Sequence, residues 1–313
     1  MTVEATRRTI AVMLPLLGEE EAQAAADAVR SGWVAQGPRV ARFEAAFAER
    51  VGAAHGVAVS SCTTGLHLAL IAVGVQPGDE VIVPSLSFIA TANAVRYAGA
   101  TPVFADVELA TGNVTVETID RVRTARTRAV IAVHQGGVPL DLRPLRTATA
   151  EWGVALVEDA ACAAGSTVDG LPVGAGALVA AWSFHPRKLI TTGEGGMVTV
   201  DDPEWAARMK RLREHGMNVS AADRHASVLA PPESFDEVGF NFRMTDLQAA
   251  VGLVQLGRLP EMVARRRELA TRSPTRWRTY PACASWGTPP GAPPTTSPAG
   301  SRSCPSTRWT ASR

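Results

Sequence analysis

Seven short β-rich runs punctuate the chain between residues 57 and 200, and helical patterns fill most of the segments between them. The runs are VAVS (57–60), EVIVPS (80–85), TPVFADV (101–107), RAVIAVH (128–134), VALVED (154–159), VAAWSF (179–184) and GMVTV (196–200). Runs this apolar are covered on both faces, and helices between strands supply the crossovers that parallel pairing requires. The alternation predicts an α/β fold with a mostly parallel sheet between helical layers. Helical periodicity also precedes the first run, in EEEAQAAADAVRSG and ARFEAAFAERVGAA, with Gly32 and Gly52 placed to end the helices. Ligands in such sheets sit at the carboxyl ends of strands, so candidate chemistry is sought there.

The 313 residues, 46% of them hydrophobic, suffice for a sizeable core. A net charge of +1 makes no electrostatic case for nucleic acid, and no apolar stretch reaches the roughly 18 residues of a spanning helix. The N-terminal MTVEATRRTIAVMLPL lacks a cleavage-site pattern, so a cytoplasmic protein with no nucleic-acid or membrane partner is expected. Cys62, Cys162, Cys283 and Cys304 have neither metal-ligand spacing nor the density of a disulfide scaffold, and no metal is expected. Composition breaks near residue 271: from Thr271 to Arg313 there is no Asp, Glu, Lys, Leu, Ile, Val or Met. The tail's six arginines leave 25 basic against 30 acidic residues before it, so a body of −5 and a tail of +6 make up the near-neutral total. Without branched aliphatics the tail buries too little apolar surface to offset its ordering entropy. Residues 1–270 are therefore expected to form the folded domain and residues 271–313 to be disordered.

Four strand ends carry suggestive residues. In SSCTTGLHLAL, backbone N–H groups and the hydroxyls of Thr63 and Thr64 can face an anion at a helix N-terminus, although an ordinary Ser/Thr N-cap has the same appearance. In VALVEDAACAAG, Asp159 ends an apolar strand, where a carboxylate is costly without a cation; the alternative is a helix cap. Phe88 in PSLSFIATANAV can stack on a planar ring or simply join the core. Lys188, in SFHPRKLITTGEGGMV, lies between an apolar strand and a glycine-rich turn, and Gly193, Gly195 and Gly196 let the backbone pass close to a ligand. A lysine amine shielded from water has a lowered proton affinity and can form a Schiff base with an aldehyde. A phosphate cradle, a carboxylate for a ring nitrogen, a stacking aromatic and a shielded lysine together describe a pyridoxal 5'-phosphate site.

These stretches, with SGWVAQGPRVARFEAAFAERVGAAHGVAVSSCTTGLHLAL and VGFNFRMTDLQAAVGLVQL, resemble in the same order the DegT-type sugar aminotransferases over roughly residues 15 to 270. The resemblance implies the type I aminotransferase fold, a homodimer with shared sites, and amino transfer to a keto sugar, nucleotide-linked, from an amino-acid donor, glutamate or glutamine. It makes Lys188 the Schiff-base lysine, Asp159 the partner of the pyridine nitrogen, Phe88 the stacking aromatic, and Thr63, Thr64 and Ser183 phosphate ligands. Asn241 matches an asparagine that reaches the neighbouring subunit's cofactor phosphate, and Arg243 a residue for the substrate's anionic groups; both also fit a helix-entry turn. Cys162 stands where relatives often have Gln or His and is expected against the cofactor ring. His185 reads as a substrate contact or proton carrier, or as a structural histidine at the strand end. A sugar 3-dehydratase of the same family would carry His at the lysine position, and a catalytically impaired or regulatory cofactor-binding protein is the further alternative. Relatives continue past the RRRELA helix into a smaller α/β domain, which this chain is expected to lack; residues after about 271 are expected to come from a shifted reading frame, against a natural disordered tail.

Overall fold

The computed structural model describes residues 13–219 and 232–272. The expectations for order and reading frame after residue 272, and for the missing small domain, lie outside the described residues. Two helices open the fold, α1 (Glu19–Arg30) and α2 (Pro38–Val51). Three glutamates in the first turn of α1 complement its positive end, and Pro38 starts α2 where a missing N–H costs nothing. Gly52 ends α2 in the left-handed region at φ 72°, a conformation a side chain would resist.

The chain then alternates as β1 (His55–Val59), α3 (Cys62–Ala72), β2 (Glu80–Pro84), α4 (Ala90–Tyr97), β3 (Thr101–Ala105), α5 (Val116–Asp120), β4 (Thr127–Val133), α6 (Leu142–Glu151) and β5 (Ala155–Asp159). A two-stranded hairpin, β6 (Thr167–Val168) and β7 (Leu171–Pro172), precedes β8 (Val179–Ser183), β9 (Gly196–Val200), α7 (Pro203–Leu212) and α8 (Asp246–Arg272). All seven expected strands form one sheet in the order β1-β9-β8-β5-β4-β2-β3. β9 alone is antiparallel, to both its neighbours, so six strands point their carboxyl ends the same way and β9 begins at that edge. The hairpin β6–β7 was not foreseen, since two-residue strands carry no periodic signal.

Strand parity sorts the core. Val57, Val59, Val81, Val83, Ile131, Val157, Ala181 and Val198 pack in one cluster with apolar residues of α3, α4 and α7. On the opposite face, Ala58, Ala180, Trp182 and Met197 pack with α2 and α8, while Ile82, Val130, Ala132 and Leu156 pack with α5 and α6. The sheet is therefore sandwiched between helical layers, as the alternation requires. Among the described residues no helix is long and apolar enough to cross a membrane.

One buried ion cluster fixes β1. Glu44 of α2 accepts hydrogen bonds from the Ala58 N–H at 2.9 Å and from Arg213, which also donates to the Ala58 carbonyl at 2.7 Å. Lys210 of α7 reaches the other Glu44 oxygen at 3.3 Å. Glu44→Ala would strand the buried Arg213 guanidinium and should cost about 3–5 kcal/mol. A urea midpoint that falls accordingly at unchanged slope is the expected outcome. A loss below about 1 kcal/mol would show that water reaches Arg213.

Candidate active site

Glu158 and Asp159 are neighbours in β5, and strand parity sends them to opposite faces of the sheet. Both are nearly inaccessible, at 1% and 6% exposure. Glu158 is ion-paired: Arg146 of α6 donates to Oε1 at 2.8 Å, and His134 Nε2 lies 3.6 Å from Oε2. Asp159 faces the α3–α4 side with only neutral partners. The Ala161 N–H donates to Oδ1 at 3.1 Å and the Thr91 hydroxyl to Oδ2 at 3.2 Å. Thr91 has one proton, so Ser87, 2.7 Å away, donates to it in turn. Among the described residues no cation stands within ion-pair distance of Asp159. Burial accordingly pushes its carboxyl up, against the hydrogen bonds from Ala161 and Thr91 and the more distant pull of Lys188 and His134. Ser87 and Thr91 were not singled out in the sequence, where they pass for ordinary helix-entry residues.

The β8–β9 connection carries Lys188. Its backbone is closed on itself: the Lys188 N–H donates to the His185 carbonyl at 2.8 Å, and Phe184 bonds both Gly195 and Thr192 across the loop. The Lys188 Nζ lies 3.1 Å from the Cys162 Sγ, so the strand ends of β5 and β8 meet at these two side chains. His185 accepts from the Arg187 N–H through Nδ1 at 3.1 Å, and its Nε2 faces Glu194 at 3.9 Å. The glycines of this connection let the chain pack closely on itself. A methyl group on Gly196 would sit 2.5 Å from the Ser61 carbonyl carbon and 2.6 Å from the Cys62 nitrogen, and one on Gly195 would strike Thr192. Gly195 and Gly196 thus permit close approach of chain to chain; Gly193, at φ 82°, makes the turn.

That close approach brings Ser183, paired with Gly196 across the ladder, beside the start of α3. There Ser61 is the N-cap, accepting from the Thr64 N–H at 3.2 Å, and Thr64 donates back to the Ser61 carbonyl at 2.8 Å. The capping alternative is realised by Ser61 and Thr64, while the Thr63 hydroxyl has no hydrogen-bond partner among the described residues. Phe88 is not a core residue: it is 77% exposed in the turn that leads to Thr91. Phe242 and Arg243 run beside the end of β1, where the Ser60 N–H donates to the Phe242 carbonyl at 2.8 Å. His67, Phe240 and Phe242 pack as an aromatic cluster beneath this segment. Asn241 projects into solvent, and Arg243 lies 3.7 Å from Glu214, so neither touches the Asp159–Lys188 group directly.

A cavity of about 320 Å³ opens beside Lys188 and Cys162. Arg187, Arg266 and Arg267 line it together with Gly136 and Gly137, and among the described residues no carboxylate does. The α8 arginines lie far from Lys188 in the sequence and gave no local signal.

The chain has two lysines, Lys188 and Lys210. Lys210, on α7, is held at Glu44 of α2, which leaves Lys188 as the amine at the strand ends.

The model of the DegT/DnrJ/EryC1/StrS aminotransferase family matches residues 15–292. Over 268 residues the chain is 43% identical to the spore coat polysaccharide biosynthesis protein SpsC of Bacillus subtilis (strain 168), a match covering 86% of this chain and 69% of that protein. Its structure is similar to that of TlmJ, an aminotransferase from Streptoalloteichus hindustanus, with a TM-score of 0.79 at 43% identity over 87% and 72% of the two chains. It is similar also to PseC of Helicobacter pylori, an aminotransferase involved in the biosynthesis of pseudoaminic acid, with a TM-score of 0.81 at 30% identity over 88% and 72%. Similar solved structures include a PLP form, and together they place the fold among the type I pyridoxal phosphate-dependent aminotransferases.

Without a cation, ionised Asp159 destabilises the cofactor-free protein. Its folded-state pKa lies above the ordinary 3.8, so stability is lost as pH rises from that value through the folded-state one. Asp159→Asn removes the charge, while Thr91 and Ser87 can reverse their hydroxyls to suit the amide. The cofactor-free variant should melt several degrees above wild type at neutral pH, the gap closing as pH falls toward 3.8. A variant melting at or below wild type at every pH would contradict this reading.

Proposed function

The chain belongs to the DegT/DnrJ/EryC1/StrS aminotransferase family, and on that premise we propose that it moves an amino group from glutamate or glutamine to the keto group of a nucleotide-linked sugar. Pyridoxal phosphate and amino-sugar chemistry come with the family. The donor, the nucleotide and the residue roles are our reading of the site.

The residues present fit this cofactor, and one observation carries the fit. Of two adjacent buried carboxylates, Glu158 has Arg146 and Asp159 has no cation among the described residues, so Asp159 is the carboxylate that gains most from a protonated ring nitrogen. Thr63, Ser183 and the first N–H groups of α3 hold the phosphate, with Thr64 stiffening the turn they come from. Exposed Phe88 is free to lie against the ring. When bound, pyridoxal phosphate supplies the aldehyde that captures the amino group and a protonated ring that draws electrons from Cα. Asp159 keeps the ring nitrogen protonated through its charge. Lys188 takes the proton from the donor's Cα at its Nζ. Cys162 lies against Lys188, and His185, on the same turn, contacts substrate.

The arginine-lined cavity supports an anionic acceptor: among the described residues its wall carries three guanidinium groups and no carboxylate, which suits the diphosphate of a nucleotide sugar. Exposed Asn241, with Arg243 behind it, supports a homodimer in which these residues serve the neighbouring site. Exposed Ile89, at the N-cap of α4, and Tyr97, at its last turn, offer such an interface apolar surface. A cofactor-loaded protein sedimenting as a monomer would contradict the shared site. The free thiols of Cys62 and Cys162 fit a reducing compartment such as the cytoplasm.

Half-reactions followed by visible absorbance test the assignment. Glutamate or glutamine should bleach the loaded enzyme, and a nucleotide-linked keto sugar should restore the colour. In Arg266→Ala the donor half should be unchanged and the KM for the sugar should rise about tenfold, the effect of losing one charge-assisted contact. Failure of every donor to bleach the enzyme overturns the function; an unchanged sugar KM overturns only the role of the cavity.

A further inference from the structure

The contact between Cys162 and Lys188 has chemistry that transamination does not use. The sulfur and the nitrogen lie 3.1 Å apart at the cavity wall, and Cys162 is exposed, so an oxidant arriving through solvent reaches it. Its backbone is held in place: a methyl group on Gly137 would sit 2.7 Å from the Cys162 carbonyl oxygen, and Ser166 ties the next turn to the Gly137 carbonyl at 2.8 Å. Cys62, the other thiol of the site, is kept well above the ordinary thiol range by burial and the nearby Asp159 charge, which keeps it protonated and slow to compete.

We propose that Cys162 is a redox modification site that closes onto Lys188 as a reversible sulfenamide under hydrogen peroxide. Peroxide oxidises the thiol to a sulfenic acid and is itself reduced to water. The Lys188 lone pair then attacks the sulfur; the S–N bond forms, the S–O bond breaks, and the hydroxyl leaves with an amine proton as water. An external thiol reverses the step by attacking the sulfur, releasing the amine and leaving a mixed disulfide that a second thiol reduces. The closed form withdraws the amine from carbonyl chemistry and shields the sulfur from further, irreversible oxidation. The proposal rests on the contact and not on any particular amino acceptor.

The test uses the full chain, freed of cofactor, with Cys62, Cys283 and Cys304 replaced by serine so that no internal disulfide can form. Stoichiometric peroxide should convert most chains to a species lighter by two hydrogens, with Cys162 and Lys188 joined in one peptide, and dithiothreitol should restore the original mass. Lys188→Ala in this background should instead only gain oxygen, and prior loading with pyridoxal phosphate should prevent the cross-link. The wild-type chain should yield the same joined peptide. Oxygen addition alone in the lysine-containing protein, a cross-link that persists in Lys188→Ala, or a Cys62–Cys162 disulfide in the wild type would each overturn the proposal.

Discussion

A buried carboxylate with no cation beside it among the described residues is the constraint around which the site is organised. Asp159 ends β5 on the α3–α4 face, and Ala161 and Thr91 give it hydrogen bonds but no positive charge. Its neighbour Glu158, one residue away and on the other face, has an arginine. The difference is not one of burial, since both are nearly inaccessible. It comes from what each face of the sheet supplies: α6 brings Arg146 to one side, while α4 and the turn before it bring a neutral Ser87–Thr91 relay to the other. A cationic ring nitrogen would complete Asp159 as Arg146 completes Glu158.

Bringing the remaining groups to that carboxylate depends on the sheet. Six strands end at one edge, and reversed β9 starts there, so the serine and threonine residues after β1 and the lysine after β8 come to the same edge. Gly196 is the contact point, because only a residue without a side chain lets β9 pass against Ser61 and Cys62. The Glu44–Arg213 pair holds β1 from behind, and Asp246, wholly buried at the start of α8, accepts from the Arg39 and Val40 N–H groups and so fixes α2. These buried polar contacts secure the backbone from which the site residues project.

Much of this was legible in the chain itself. The seven strands, the helical stops at Gly32 and Gly52, and the gathering of Asp159 and Lys188 at strand ends follow from local pattern and the carboxyl-end rule. What local pattern does not carry is pairing. Nothing in GMVTV says that β9 runs backwards, so Gly195 and Gly196 read as ligand glycines although they serve chain packing. Thr64 carries the same side chain as Thr63, and only the turn geometry shows that it is engaged with Ser61. The relay from Thr91 to Asp159 and the arginines of α8 beside Lys188 join residues distant in sequence, which periodicity cannot register.

With just two lysines in the chain, the identity of the reactive amine can be settled by one covalent label. The protein is loaded with pyridoxal phosphate, reduced with borohydride, digested and mapped. The account predicts that the label lies on the peptide containing Lys188, and that Lys210, held at Glu44, stays unlabelled. Labelling of Lys210 alone, or a cofactor that binds without covalent attachment to either lysine, would contradict it.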